Sequence, residues 1–112
     1  ELHRAVRLVT DTGMHAMKWS REEAIEYMVS VEGLDEATAT SEIERFVVWP
    51  AQALGYKLGQ LKILALREEA REKLGEQFDI RDFNQTVLEV ASTPLPFIES
   101  TVHDWIAQSG DL

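Results

Sequence analysis

Residues 49–75 read WPAQALGYKLGQLKILALREEAREKLG, and this stretch decides the fold class. Pro50 suits the first turn of a helix, because its ring fixes φ near the helical value and its missing N–H has no intrahelical partner there. The following residues are rich in good helix formers, and Gly75 suits a left-handed C-terminal cap. We therefore predict one long helix over about residues 50–74, roughly 37 Å long at 1.5 Å per residue.

This long helix is apolar on two opposite sides, which predicts that it is packed on two sides. Gly55 and Gly59 each cost about 1 kcal/mol relative to alanine inside a helix. Either close approach of a neighbouring helix or room for a ligand beside Tyr56 would compensate for that cost. At 100° per residue, the first apolar stripe consists of Leu54, Leu58, Leu61 and Ala65, and the second of Gly59, Ile63, Leu66, Ala70 and Leu74, with Tyr56.

Helical periodicity and capping signals predict the other helices. The first starts within residues 1–9, and its end is left open between Thr10 and Met17. Ser20 and Glu23 have the spacing of a capping box, and Asp35 is a good N-cap. Two more helices follow the long one, and no strand-like alternation is found. The sequence therefore predicts an all-α fold of about six helices, in a bundle-like array around the long helix and forming a single domain over residues 1–112.

Composition limits the classes of function. The 112 residues fit one domain, and the 45% hydrophobic and 28% charged residues are typical of a globular protein. A formal charge of −9 argues against binding to a nucleic-acid backbone, and no apolar run is long enough to span a membrane. The absence of cysteine leaves the compartment open between cytoplasm and periplasm. Because the chain begins with Glu1 already in helical phase, we expect a fragment of a longer protein.

Few residues in the sequence suggest a catalytic or metal-binding role. The imidazoles are His3, His15 and His103, and no HExxH motif, G-x-S-x-G motif or phosphate-binding loop is present. We expect no metal site in this chain and no catalysis by the chain alone. Asp11 and His15 are four residues apart, so the carboxylate could orient the ring if the helix continues. The alternative is a surface histidine at a capped helix end, with Tyr56 as an ordinary packed aromatic.

Arg4 and Arg7 are unusual on so apolar a helix, and they could pair with carboxylates in parts of a protein outside this chain.

Three segments of the sequence resemble a known protein family. They are RAVRLVTDTGMHAMKWSREEAIEYM at residues 4–28, ERFVVWPAQALGYKLGQLKILALREEAREKLG at 44–75 and FDIRDFNQTVL at 78–88. In order and spacing they closely resemble the C-terminal region of the bacterial DUF885 family, over nearly the whole chain.

The resemblance implies a helical, zinc-dependent metallopeptidase of the gluzincin group. The zinc motif of that group would lie upstream of Glu1, so zinc is expected in the longer protein and not in this chain. His15 and Tyr56 match positions turned toward the cleft, where a histidine and a tyrosine donate hydrogen bonds to the tetrahedral intermediate. Arg7 and Asp11 would then hold His15 in place.

The sequence thus leads to two expectations. In the first, the chain is the C-terminal portion of a zinc-dependent peptidase or hydrolase, where it forms a scaffold and one wall of the substrate cleft. Its partners are then the missing N-terminal part and a peptide substrate, and the fragment would expose apolar surface and could self-associate. In the second, it is a stand-alone acidic helical domain that binds other proteins without catalysis, as a monomer or symmetric dimer.

Overall fold

A computed structural model describes residues 1–111 of the protein. Within these residues all regular secondary structure is helical, so the predicted all-α fold of six helices is confirmed. A short 3-10 turn, Gly75–Gln77, follows the fourth helix. The α-helices are α1 Leu2–His15, α2 Arg21–Glu32, α3 Glu36–Val48, α4 Gly55–Leu74, α5 Ile80–Glu89 and α6 Leu95–Gly110.

The chain forms two compact units, Glu1–Leu58 and Gly59–Leu112. In the first unit α1, α2 and α3 pack against one another in all three pairings. Apolar side chains at helical spacing on each helix close this core, since their burial removes hydrocarbon from water. The buried core residues are Val6, Ala24, Ile25, Met28, Ala39, Ile43, Phe46 and Ala53.

Local signals fix the starts of α2 and α3 as predicted. The Ser20 hydroxyl accepts a hydrogen bond from the Glu23 N–H at 3.1 Å, and the Glu23 carboxylate accepts one from the Ser20 N–H at 2.7 Å. This reciprocal box satisfies two helix-end donors. Gly33 ends α2 with a left-handed φ of 75°, and Asp35 accepts a hydrogen bond from the Thr38 N–H to start α3.

The second unit is built from α4, α5 and α6, with α5 packed against α6. Phe83 of α5 is fully buried, and its ring centroid lies 6.2 Å from that of Trp105 in an edge-on contact. The buried residues of this second core are Leu66, Ala70, Leu74, Phe83, Ile98, Val102 and Ile106.

The predicted start of α4 is wrong. The helix begins at Gly55, and residues 50–54 form turns instead of the helical turn predicted from Pro50. The reason is the backbone at Ala51, which has a φ of 69° and therefore cannot lie in a right-handed helix. A hydrogen bond from the Ala51 N–H to the Asp11 carboxylate, across the first unit, stabilises this conformation.

The two sides of α4 differ. Leu66, Ala70 and Leu74 of the second predicted stripe are buried, whereas Leu58 and Leu61 of the first stripe are exposed. Packing on both sides is therefore not found within residues 1–111. Nor does a close neighbour explain the glycines, because no atom lies within 4 Å of a Cβ built at Gly55 or Gly59.

Candidate functional site

Three polar residues of α1 follow one another at intervals of four. Arg7 and Asp11 are buried, with 8% and 1% of their surfaces exposed, whereas His15 is exposed as the last residue of the helix. The interval of four places them along one side of α1, because a helix makes a turn in 3.6 residues. Buried charged residues on a short helix are uncommon unless they have partners, so their contacts define the candidate site.

The partners of Arg7 and Asp11 lie in the turns before α4. The Asp11 carboxylate accepts from the Ala51 N–H at 3.1 Å, and Arg7 Nη2 donates to Gln52 Oε1 at 3.1 Å. These two hydrogen bonds tie residues 51–52 to α1. They thereby fix the approach of the chain to Tyr56 in the first turn of α4.

Tyr56 lies against two arginines. The Arg7 guanidinium carbon is 4.8 Å from the centre of the Tyr56 ring and 5.4 Å from the centre of the Phe46 ring. The Arg4 guanidinium carbon is 5.5 Å from the same tyrosine ring. The Tyr56 residue is 52% exposed, and no described residue forms a hydrogen bond with its hydroxyl. Two guanidinium groups therefore lie within cation–π distance of the tyrosine ring, while about half of the residue remains open to solvent.

His15 is held by a backbone carbonyl. Its Nε2 lies 3.0 Å from the oxygen of Phe46 in α3. A carbonyl oxygen only accepts, so Nε2 carries the proton and donates it to this bond. The hydrogen bonds of Arg7 and Asp11 go elsewhere, to Gln52 and Ala51. Their predicted role in holding His15 remains a prediction, as do the catalytic roles of His15 and Tyr56.

The structure does not place His15 and Tyr56 in contact. Among residues 1–111 no hydrogen bond or ring contact joins them, and Arg7 contacts Tyr56 whereas Phe46 binds His15. Sequence reasoning did not find Phe46 or Gln52. A backbone carbonyl has no side-chain signature, and a glutamine in a turn has no distinctive pattern around it.

Two buried atoms of this site have no hydrogen-bond partner within the described chain, Arg7 Nε and Asp11 Oδ2. Unpaired polar atoms are rare in protein interiors, because each costs about 1–3 kcal/mol. A single unpaired carboxylate oxygen does not resemble the three or four ligands of a zinc site. In residues 1–111 no group of three or more His, Cys, Asp or Glu side chains could hold a metal ion.

No helix in the described part of the chain is long and apolar enough to cross a membrane.

The structure also has a surface groove between α2 and α3. Ile25 and Val29 contribute apolar atoms to it, and Glu22, Glu26 and Glu36 contribute carboxylates. None of the residues predicted as site residues lines this groove.

Comparison with known proteins gives a family and a related structure. The family model of DUF885, described as a bacterial protein of unknown function, matches residues 1–102. A crystal structure described as "the putative lipoprotein from Colwellia psychrerythraea" shares 48% sequence identity and a TM-score of 0.91 over 95% of this chain. The present chain spans 18% of that protein's chain. No curated protein matches.

Proposed function

The chain belongs to the DUF885 family of bacterial proteins, and on that premise we propose that it is the C-terminal helical portion of a longer zinc-dependent peptidase or hydrolase. In this proposal it forms a scaffold and one wall of the substrate cleft, and it is inactive alone. The related crystal structure supports a longer protein, because this chain spans 18% of that chain.

The observation that carries the proposal is the support given to two exposed polar side chains by buried polar groups. Tyr56 follows a turn held by Arg7 and Asp11, and His15 is fixed by the Phe46 carbonyl. Functional groups need such rigid support, because catalysis depends on hydrogen-bond donors that are oriented before the reaction. A purely structural tyrosine would not require a buried arginine against its ring.

A second observation is exposed apolar surface in the first unit. Val48 and Trp49, at the end of α3, are 72% and 58% exposed, and Leu2 at the start of α1 is also exposed. Large exposed apolar side chains in one unit fit a surface that further protein covers. In the proposal this cover is the N-terminal part of the longer protein, and without it the 112-residue chain self-associates.

The roles proposed for His15 and Tyr56 follow from the hydrogen-bond donors that their side chains carry. Zinc, held by residues of the longer protein, would polarise the substrate carbonyl and activate a water molecule. The Tyr56 hydroxyl and a protonated His15 ring would donate hydrogen bonds to the oxygen that becomes negatively charged. Each such donor is worth about 3 to 4 kcal/mol, or a factor of roughly 10² to 10³ in kcat.

The test is peptidase activity of the longer protein, with zinc and with chelator, beside the variants His15→Ala and Tyr56→Phe. We expect kcat to fall roughly a hundredfold in each variant while bound zinc is retained. Matched controls are His103→Ala and Tyr27→Phe, which remove the same groups elsewhere in the chain and should leave kcat unchanged. Full activity in both site variants would refute the proposed roles.

The second candidate is a stand-alone acidic helical domain that binds other proteins. The groove between α2 and α3, which is lined by the apolar Ile25 and Val29 and by three glutamates, is the observation that favours it. Light scattering separates the candidates. A monodisperse monomer or dimer of the 112-residue chain supports the binding domain, whereas self-association that is relieved by adding the rest of the protein supports the first proposal.

A further inference from the structure

Most cations of this acidic chain have a carboxylate partner. The chain has 11 lysines and arginines against 20 aspartates and glutamates, so acidic groups are in excess. Among residues 1–111, the cations without a carboxylate within 4.0 Å include Arg4 and Arg7, which share the ring of Tyr56. The paired cations are Arg21, Arg45, Lys57, Lys62, Arg67, Arg71 and Lys73.

Arg7 is the more unusual of the two, because it is buried. Its guanidinium lies against the rings of Phe46 and Tyr56, and its hydrogen bond goes to the neutral amide of Gln52. No acceptor for its Nε is found among residues 1–111. A buried cation without a counter-charge is destabilising, since the interior does not solvate it as water does. No carboxylate of residues 1–111 lies within 4.0 Å of the Arg7 guanidinium, so its counter-charge has to come from outside the described chain.

Arg45, in the same unit, has both an aromatic ring contact and a carboxylate partner. Its guanidinium carbon also lies 5.4 Å from the centre of the Phe46 ring, and its Nη2 lies 2.6 Å from the Glu42 carboxylate. The stacked guanidinium of Arg45 is thus neutralised by a carboxylate. Arg4 and Arg7 have the ring contact but not the carboxylate.

We propose that Arg4 and Arg7, stacked on Tyr56, form a binding site for a carboxylate that comes from outside these 112 residues. A guanidinium has a planar fork of donors that matches a carboxylate, and the ring contact restricts its orientation. Arg4 is exposed and Tyr56 half-exposed, so the ligand approaches from solvent at Arg4, while the buried Arg7 adds positive charge next to the same ring. The net charge of −9 favours a monoanion over a more highly charged phosphate.

The carboxylate has two possible sources with the same chemistry. It is either the free carboxyl group of a peptide ligand or an acidic side chain of the rest of a longer protein. The site does not require zinc or catalysis, so it stands independently of the function proposed above. The experiment has to establish carboxylate binding first and then identify its source.

The first measurement is a titration of the ¹⁵N-labelled 112-residue chain with N-acetyl-glycylglycine, followed through the arginine Nε–H signals at constant ionic strength. We expect saturable shifts of the Arg4 and Arg7 signals with the free acid and none with its C-terminal amide. The variants Arg4→Gln and Arg7→Lys should each weaken binding by roughly tenfold or more, as expected for a lost charge-assisted hydrogen bond. Arg81→Gln is the matched control, because Arg81 is exposed and, among the residues that the structure describes, has no carboxylate partner and contacts no ring.

Shifts that do not saturate, or that are equal for acid, amide and chloride, would overturn the proposal. Circular dichroism identifies any variant that fails to fold, and Arg4→Gln alone then decides, since Arg4 is exposed. The same titration on the longer protein identifies the source. Binding of the free acid there assigns the site to a peptide ligand. Loss of binding there, together with a lower melting temperature for its Arg4→Gln variant, assigns the site to an internal acidic residue.

Discussion

His15 Nε2 lies 3.0 Å from the carbonyl oxygen of Phe46, so the last residue of α1 is bound to the backbone of α3. Because the carbonyl can only accept, the proton of a neutral His15 ring resides on Nε2. The other nitrogen, Nδ1, then accepts hydrogen bonds in the neutral ring and donates only after the ring is protonated. This geometry decides what His15 can offer to a ligand.

The first prediction concerns that tautomer. In the 112-residue chain at a pH where the ring is neutral, long-range ¹H–¹⁵N spectra should show His15 as the Nε2–H form. His15→Ala should reduce the free energy of unfolding by about 0.5–1.5 kcal/mol, as expected for one lost hydrogen bond. A neutral ring observed with its proton on Nδ1 would contradict the bond to Phe46.

The second prediction concerns Asp11, which is fully buried and accepts from the Ala51 N–H. Asp11→Ala leaves that N–H unpaired and opens a small cavity, so we expect a loss of about 2–4 kcal/mol in the free energy of unfolding. Asp11→Asn keeps the shape and an acceptor oxygen and is the matched control, with a smaller loss. Urea denaturation measures both, and equal effects of the two substitutions would show that the hydrogen bond is unimportant.

The third prediction compares two glycines. A Cβ at Gly13 would lie 2.4 Å from the Trp19 ring, whereas a Cβ at Gly59 meets no atom within 4 Å. Gly13→Ala should therefore destabilise the chain by about 1–3 kcal/mol through overpacking. Gly59→Ala should stabilise it by up to about 1 kcal/mol, because alanine is the better helix former. Thermal melts of the two variants should move in opposite directions, and a shift in the same direction would contradict this packing.

The fourth prediction concerns the loss of folding stability at low pH. Hydrogen bonds from Thr38 hold the pKa of the Asp35 carboxyl below its ordinary value, and hydrogen bonds from Ser20 do the same for the pKa of Glu23. A lowered folded-state pKa gives stability that is present at neutral pH and is lost as the pH falls through the folded pKa. We expect the loss to begin near the ordinary carboxyl pKa values of about 3.9 to 4.3 and to continue below them.

Asp35→Asn isolates this effect, because asparagine remains a good N-cap but does not titrate. Its unfolding midpoint in urea should match that of the wild type at pH 7 and fall less steeply on acidification. Asp111→Asn, at an exposed position beyond α6, is the control. Parallel curves for Asp35→Asn and the wild type would show that the cap carboxylate has the same pKa in the folded and unfolded chain.

Much of the fold could be predicted because its signals are local. The box of Ser20 and Glu23, the cap at Asp35 and the left-handed glycines Gly33 and Gly75 act within one helical turn. Their effects on the backbone do not depend on the rest of the protein. The second apolar stripe of the long helix likewise identified the buried side chains of α4, Leu66, Ala70 and Leu74, since burial follows the helical repeat.

The sequence predicted which residues form the candidate site, but not which groups they contact. Arg7, Asp11, His15 and Tyr56 were found from spacing and family resemblance, but their contacts were not. The Phe46 carbonyl that binds His15 belongs to a different helix, and so does the phenylalanine ring beside Arg7. A sequence gives no sign of which carbonyl or ring a side chain will reach.

The sequence by itself determined the helices, their caps and the apolar faces, because these depend on neighbours within a few residues. The tertiary structure alone decided that α4 starts at Gly55, because a carboxylate 40 residues earlier, on Asp11, holds Ala51 out of the helical conformation. It also decided that Arg7 is buried with no carboxylate of residues 1–111 within 4.0 Å. Both outcomes depend on long-range contacts, whose energies appear only when the helices have packed.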